Sequence, residues 1–191
     1  AQVKLGTQVR VDTQVRVDAT TAATPTPTPT PSGTPFVLAQ TLGTLRNDFS
    51  GCVGFVFAAT ANKTVSELGR WKVSGNSGTH LLALVQDTGG GSGTVLQTCS
   101  VNLSGGSTSA YNYCSITPQA IVNGTQYYVL SEELSSGDQW YNFDTTITST
   151  TSGIGSIQDA AVSSSGGCTS SFSVSGAGAN KSYVPTNFNV Q

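Results

Sequence analysis

The sequence predicts an all-β protein, an antiparallel β-sandwich with a detached N-terminal β-strand arm. Three observations predict it. Short runs rich in Val, Ile, Thr, Tyr and Phe recur through 36–191 between clusters of Gly, Ser and Asn, the pattern of many short strands joined by tight turns. No stretch spaces its apolar residues as an amphipathic helix does. Residues 1–18 alternate apolar and polar positions without a break in phase.

The arm occupies 1–23 and is built on a hexapeptide repeat: AQVKLG, then TQVRVD twice. Val3, Leu5, Val9, Val11, Val15 and Val17 fall on odd positions, and Gln, Lys, Arg and Asp fill the even ones. Six is even, so all three copies share one apolar and one polar face of an extended strand. Eighteen residues extend roughly 60 Å, far beyond a sandwich strand of about 5–6 residues. A strand of that length cannot lie along its own domain from end to end.

Residues 24–35 form the second segment, Thr-Pro repeats followed by Ser32-Gly33-Thr34-Pro35. Alternating Pro removes backbone donors and offers no core, so polyproline II is expected, a semi-rigid spacer rising about 3.1 Å per residue. The same composition marks O-glycosylated stalks, which makes Thr24, Thr26, Thr28 and Thr30 candidate acceptors. A plain linker is the alternative.

The third segment, 36–191, is the folded domain, of jelly-roll or Ig-like kind. Strands are expected near 36–42, 52–58, 65–73, 80–86, 94–101, 109–116, 126–133, 157–162, 169–175 and 182–190. The expected core is Phe55, Phe57, Leu68, Trp71, Leu82, Leu84, Val101, Tyr128, Leu130, Phe172, Val174 and Phe188. Four cysteines without CxxC spacing, and a single histidine, argue for two disulfides over a zinc site. A hairpin turning at Ser104-Gly105-Gly106-Ser107 would set Cys99 opposite Cys114, which leaves Cys52 to bridge to Cys168.

Composition excludes several functions. Charged residues make up 9% of the chain, against about 25% in an average soluble domain. A net charge of −2 argues against nucleic-acid partners and against attraction to anionic lipid. No apolar run approaches the roughly 18 residues of a membrane helix, so no membrane insertion is expected. The chain has no Met and begins Ala1-Gln2, consistent with removal of a secretory signal and with an extracellular or cell-surface location.

No catalytic residue emerges, and the protein reads as a non-enzyme. His80 is the one histidine available to a nucleophile system; it stands at a turn entering a strand, with no GxSxG elbow, and reads as a turn or edge residue. Glu132 and Glu133 are neighbours on one strand and face opposite ways. Glu132 and Asp138 could approach across the turn at Ser135-Ser136-Gly137, the minimum for glycoside hydrolysis; a carboxylate bonded to turn amides is the plainer reading. No cofactor is expected. Asp48, Glu132, Asp138 and Asp144 are oxygen donors of the type calcium takes but lack EF-hand spacing, so a structural calcium competes with ordinary turn capping. Trp140-Tyr141, Tyr111 and Tyr113 could form a sugar platform or serve as core. Sequons at Asn62, Asn102, Asn123 and Asn180 fall at expected turns, as exposed N-glycosylation acceptors would.

Several motifs occur in order: Leu45-Arg46-Asn47-Asp48-Phe49-Ser50-Gly51, Leu68-Gly69-Arg70-Trp71, Gly75-Asn76-Ser77-Gly78-Thr79-His80, Tyr127-Tyr128-Val129-Leu130-Ser131-Glu132-Glu133 and Gly137-Asp138-Gln139-Trp140-Tyr141. Over about 40–190 the chain resembles a β-sandwich domain of bacterial extracellular and cell-surface proteins. The resemblance implies fold and location, not activity. In that family an aromatic usually stands at the position of Cys52.

The arm directs the functional expectation. A long amphipathic strand outside a domain is an aggregation hazard unless a partner receives it. The arm resembles the donor strands of pilus-like filament subunits, in which one subunit's strand completes a neighbour's sheet, and a head-to-tail contact of that kind propagates. The expected function is a structural subunit of an extracellular filament or pilus-like fibre, a glycosylated homopolymer whose partners are copies of itself. The alternative is a surface-displayed carbohydrate-binding or adhesive module, with glycans as partners and the arm and linker as a tether.

Overall fold

The computed structural model describes Gln2, residues 33–183 and residues 186–191. The expected strand of the arm, its apolar face (Val3, Leu5, Val9, Val11, Val15, Val17) and the Thr-Pro acceptors (Thr24, Thr26, Thr28, Thr30) lie outside the described residues. The chain opens with β1 (Thr34–Pro35), β2 (Val37–Thr41) and β3 (Leu45–Arg46). It continues through β4 (Gly51–Ala59), β5 (Lys63–Trp71), β6 (Thr79–Gly89), β7 (Ser92–Asn102), β8 (Tyr111–Ile121) and β9 (Gln126–Glu133). It ends with β10 (Trp140–Tyr141), β11 (Thr146–Thr150), β12 (Gly155–Ser163), β13 (Phe172–Val174) and β14 (Thr186–Val190). A 3-10 turn at Gly166–Cys168 is the helical element among the described residues.

Two antiparallel sheets carry the fold. One has six strands in the order β13-β12-β4-β9-β6-β7, the other four in the order β1-β14-β5-β8. Two ribbons, β2 with β11 and β3 with β10, complete it. The core between the sheets takes Phe55 and Phe57 from β4, Leu82 and Leu84 from β6, and Val129 from β9; β5 and β14 answer with Val65, Leu68 and Phe188. Phe36, Phe57 and Phe188 meet at its centre with ring centroids 4.7–5.4 Å apart, close enough for aromatic attraction beyond area burial. On β5, a side chain at Gly69 would collide with the Tyr113 ring; the ring covers the glycine from the neighbouring strand.

Strand β4 is buried on both faces, from Gly51 to Phe57, where a one-sided sheet would alternate. A second cluster explains it: Cys52, Val56, Tyr128 and Leu130 on the outer face lie under Cys168 and Phe172. The Cys52–Cys168 bridge ties the returning Gly- and Ser-rich segment onto that face, and Phe172 stacks on Tyr128 at 5.1 Å. Tyr128, Leu130 and Phe172 are therefore buried as expected, but outside the sandwich rather than within it. Val174, expected in the core, is 52% exposed; it sits on the short edge strand β13, which has a neighbour on one side only among the described residues. Trp71 is half-buried at the core margin.

Both expected disulfides are present, Cys52–Cys168 and Cys99–Cys114. Cys99 and Cys114 do not face each other across a hairpin, the arrangement expected from the turn at Ser104-Gly105-Gly106-Ser107. β7 pairs with β6, and β8 pairs with β5, so the two cysteines stand on edge strands of different sheets. The bridge staples the sheets together along one side of the sandwich. The turn between them crosses from sheet to sheet, and the buried Lys72 ammonium holds it by donating to the carbonyls of Leu103 at 2.6 Å and Gly106 at 3.0 Å.

The bridges should differ in weight. Cys52–Cys168 closes a separation of 116 residues and Cys99–Cys114 one of 15. In the chain-entropy model the long loop is worth about 4.7 kcal/mol or slightly more and the short one about 3 kcal/mol. Urea unfolding of Cys52→Ala/Cys168→Ala should show the larger loss. A larger loss from Cys99→Ala/Cys114→Ala would contradict this ordering.

Candidate functional site

Strand register divides the sandwich into two ends. Ala59, Lys63, Ile121, Gln126 and Val190 lie at one end, with Thr34, which pairs with Val190. Gly51, Arg70, Thr79, Asn102 and Glu133 lie at the other.

That second end holds a charge cluster. On β9, Tyr127, Val129, Ser131 and Glu133 share the inward phase, and the period of two delivers Glu133 to the sandwich interior. Arg70 arrives from β5 in the opposite sheet. Both side chains are 0% exposed. Arg70 donates to Glu133 through Nε at 3.0 Å and Nη2 at 2.8 Å, and caps the carbonyls of Trp71 and Gln139. Ser131 Oγ donates to Glu133 at 2.7 Å. Every charged oxygen and nitrogen of the pair is thus engaged, which a buried ion pair needs.

His80 joins the cluster. It was expected as a turn or edge residue; it is instead a buried residue on the interior strand β6. Nδ1 lies 2.9 Å from the Glu132 carbonyl oxygen and 3.3 Å from Glu133 Oε2; Nε2 lies 3.0 Å from Asp138 Oδ2. Both ring nitrogens are thus placed against oxygens of the protein. Asp138 also accepts the amides of Ser77 at 3.2 Å and Gly78 at 2.8 Å. Asn76 and Gln139 exchange two further hydrogen bonds beside them. The arrangement is a clamp that locks the 74–79 and 134–139 loops together.

Partial burial pushes the Asp138 carboxyl up, but the hydrogen bonds from His80, Gly78 and Ser77 outweigh it and hold the group below the usual carboxylate range. A depressed acid stabilises above its unfolded value of about 3.9 and loses that contribution as pH falls through the folded one. Asp138→Asn should therefore be less stable than the parent at neutral pH, with the gap closing below about pH 4. Urea midpoints over a pH series measure it; a gap unchanged down to about pH 2 would contradict the assignment.

A cleft of about 600 Å³ opens beside the clamp, lined by Ser77, His80, Glu132, Leu134, Ser136 and Asp138. Glu132 faces away from Glu133, as the strand period requires, and accepts the Gly167 amide at 2.8 Å, the turn-amide role expected for a carboxylate here. The four candidate calcium ligands are spent separately: Asp48 on Arg46, Asp144 on Thr44, Glu132 on Gly167 and Asp138 on His80. Among the described residues no three His, Cys, Asp or Glu side chains converge on a metal position.

The aromatic candidates separate. Trp140 is 1% exposed, packed with Val53, Ala160 and Tyr183 under the Arg46 guanidinium at 5.1 Å; it is core, not a rim platform. Tyr141 packs against the main core. Tyr113 covers Gly69, and its hydroxyl accepts from Asn187. Tyr111 remains half-buried against Trp71 at 5.1 Å, its hydroxyl donating to Gln40 at 2.6 Å. These two rings, with Leu38 and Gln40, line a groove of about 250 Å³. All four sequon asparagines, Asn62, Asn102, Asn123 and Asn180, are exposed.

The Arg70–Glu133 pair was missed from the sequence, yet a signal exists. Arg70 follows Leu68 and Glu133 follows Val129 and Ser131 in inward phase, and charges on the buried face of two strands imply a partner across the core. No helix among the described residues is long and apolar enough to cross a membrane. No family model, curated protein or solved structure matches this chain.

Proposed function

We propose that this chain is a structural subunit of an extracellular filament or pilus-like fibre, which polymerises when residues 1–18 of one copy add a strand to another. The observation that carries this reading is the unbroken two-residue alternation of the arm across three hexads. Such a strand needs an open sheet edge, and backbone pairing supplies affinity while alternate side chains supply fit. The domain supports the reading: both disulfides and both described sheets are formed by residues within 33–191. Two disulfides also favour a non-cytoplasmic location.

Light scattering of the full chain distinguishes the readings. The filament reading requires polymers far above the 19.5 kDa chain mass; a monomer at every concentration contradicts it. The second reading, a carbohydrate-binding module, is favoured by one feature: Trp71 and Tyr111 flank a groove where Gln40 Nε2 is buried without a partner among the described residues, an amide and a ring of the kind a sugar uses. Glycosylation accompanies either reading. Intact-mass measurement of native material should find added hexose on the Thr24–Thr30 segment, and a bare 19.5 kDa chain contradicts that.

A further inference from the structure

We infer that the edge strand β7 is the acceptor for the arm of a second copy, an inference that rests on the filament reading and specifies its interface. The two sheets present four outer strands, β13, β7, β1 and β8. Edges invite pairing unless they are short, charged or broken by Pro. β13 has three residues and β1 has two, one of them Pro35. β8 has 11 residues but carries Pro118, where its register with β5 shifts between Val65 and Glu67. β7 also has 11 residues, and Ser92–Asn102 contains no Pro, Lys, Arg, Asp or Glu. Its register with β6 shifts between Leu84 and Val85 and between Asp87 and Gly89, but of the four it alone is both long and free of Pro and charge.

A second observation concerns side chains. Leu96 and Cys99 on β7, with Cys114 and Ile116 on β8, pack against the core yet remain partly exposed. They form an apolar seam where the two sheets meet, stapled by Cys99–Cys114. An added strand beside β7 would lay alternate side chains along that seam. The arm offers Val9, Val11, Val15 and Val17 within an 11-residue stretch, 7–17, the same length as β7. Its arginines and aspartates then face outward, and β7 sets no charge against them.

The occupant is a second copy because of where the described chain begins. Thr34 lies on β1, at the edge of the four-stranded sheet opposite β8, and next to the C-terminal strand. Gly33 and Thr34, where the described domain begins, are thus on the far side of the sandwich from β7. A neighbour's β7 receives the arm without a reversal around the domain, and each copy gives one arm and takes one, which makes the contact head-to-tail and open-ended.

Hydrogen exchange on polymers of the full chain tests this, with the full-length Val9→Asp/Val11→Asp/Val15→Asp variant as the monomeric reference. The β7 amides that point away from β6 should exchange at least ~10-fold more slowly in the polymer, with no such change on β1, β8 or β13. Slowing on β8 or β13 instead overturns β7 as acceptor and leaves the filament reading standing. A monomeric parent with β7 protected relative to the variant means the arm pairs within its own chain, which overturns the second copy. A monomeric parent without that protection overturns both. As an independent measure, Leu96→Glu should raise the concentration needed for assembly roughly tenfold, while Ser173→Glu on β13 leaves it unchanged. Assembly undisturbed by Leu96→Glu in a correctly disulfide-bonded protein would overturn the assignment.

Discussion

Replacing Glu133 by Ala should destabilise the domain by about 3–5 kcal/mol, because it strands the fully buried Arg70 guanidinium without a counter-charge. The loss should appear in urea unfolding at neutral pH as a lower midpoint with an unchanged slope. Arg70→Met/Glu133→Leu, which removes both charges and keeps apolar volume, should recover most of it, since an apolar replacement of a buried pair is often neutral or better. That contrast separates an unpaired charge from a simple cavity. If Glu133→Ala costs less than about 1 kcal/mol, the pair is hydrated and the clamp at this end of the sandwich is not what fixes its loops.

Replacing Val9, Val11 and Val15 with Asp should abolish assembly altogether. Each apolar side chain contributes about 1.5–3 kcal/mol when fully buried, against an association cost of about 4–15 kcal/mol. Six such side chains can exceed that cost only if most are buried, and three buried carboxylates reverse the balance. Replacing Lys4, Arg10 and Arg16 on the polar face with Gln should matter little, because exposed charges at a sheet edge contribute roughly 0–1 kcal/mol. Sedimentation of the purified variants reads both. Equal assembly in the Asp variant would show that the alternating face is not an interface.

The two-residue period made most of the fold legible. Strands β4, β6, β7 and β9 fall within a few residues of the expected 52–58, 80–86, 94–101 and 126–133, because each is a run of apolar or β-branched residues bounded by Gly, Ser or Asn. The ribbons were not legible. β3 and β10 have two residues each and β11 reads TITST, too short or too polar to show a pattern; tertiary pairing alone makes them strands. The disulfide Cys99–Cys114 was found for the wrong reason. Two strands close in sequence suggested a hairpin, whereas the chain crosses between sheets there, and sequence proximity does not distinguish the two. Trp140 carried no sign of its burial, since the same dipeptide suits a rim or a core. His80 and Asp138 are distant in sequence, and only the folding of the 74–79 loop against the 134–139 loop brings them together.

The central claim is that the arm drives assembly, and electron microscopy tests it most directly. Grids of the native full chain, and of the same protein lacking residues 1–18, should be compared at equal concentration. The account predicts fibres of uniform width from the full chain, and dispersed, disulfide-bonded single domains from the truncated one. Fibres of native width from the truncated protein would contradict it.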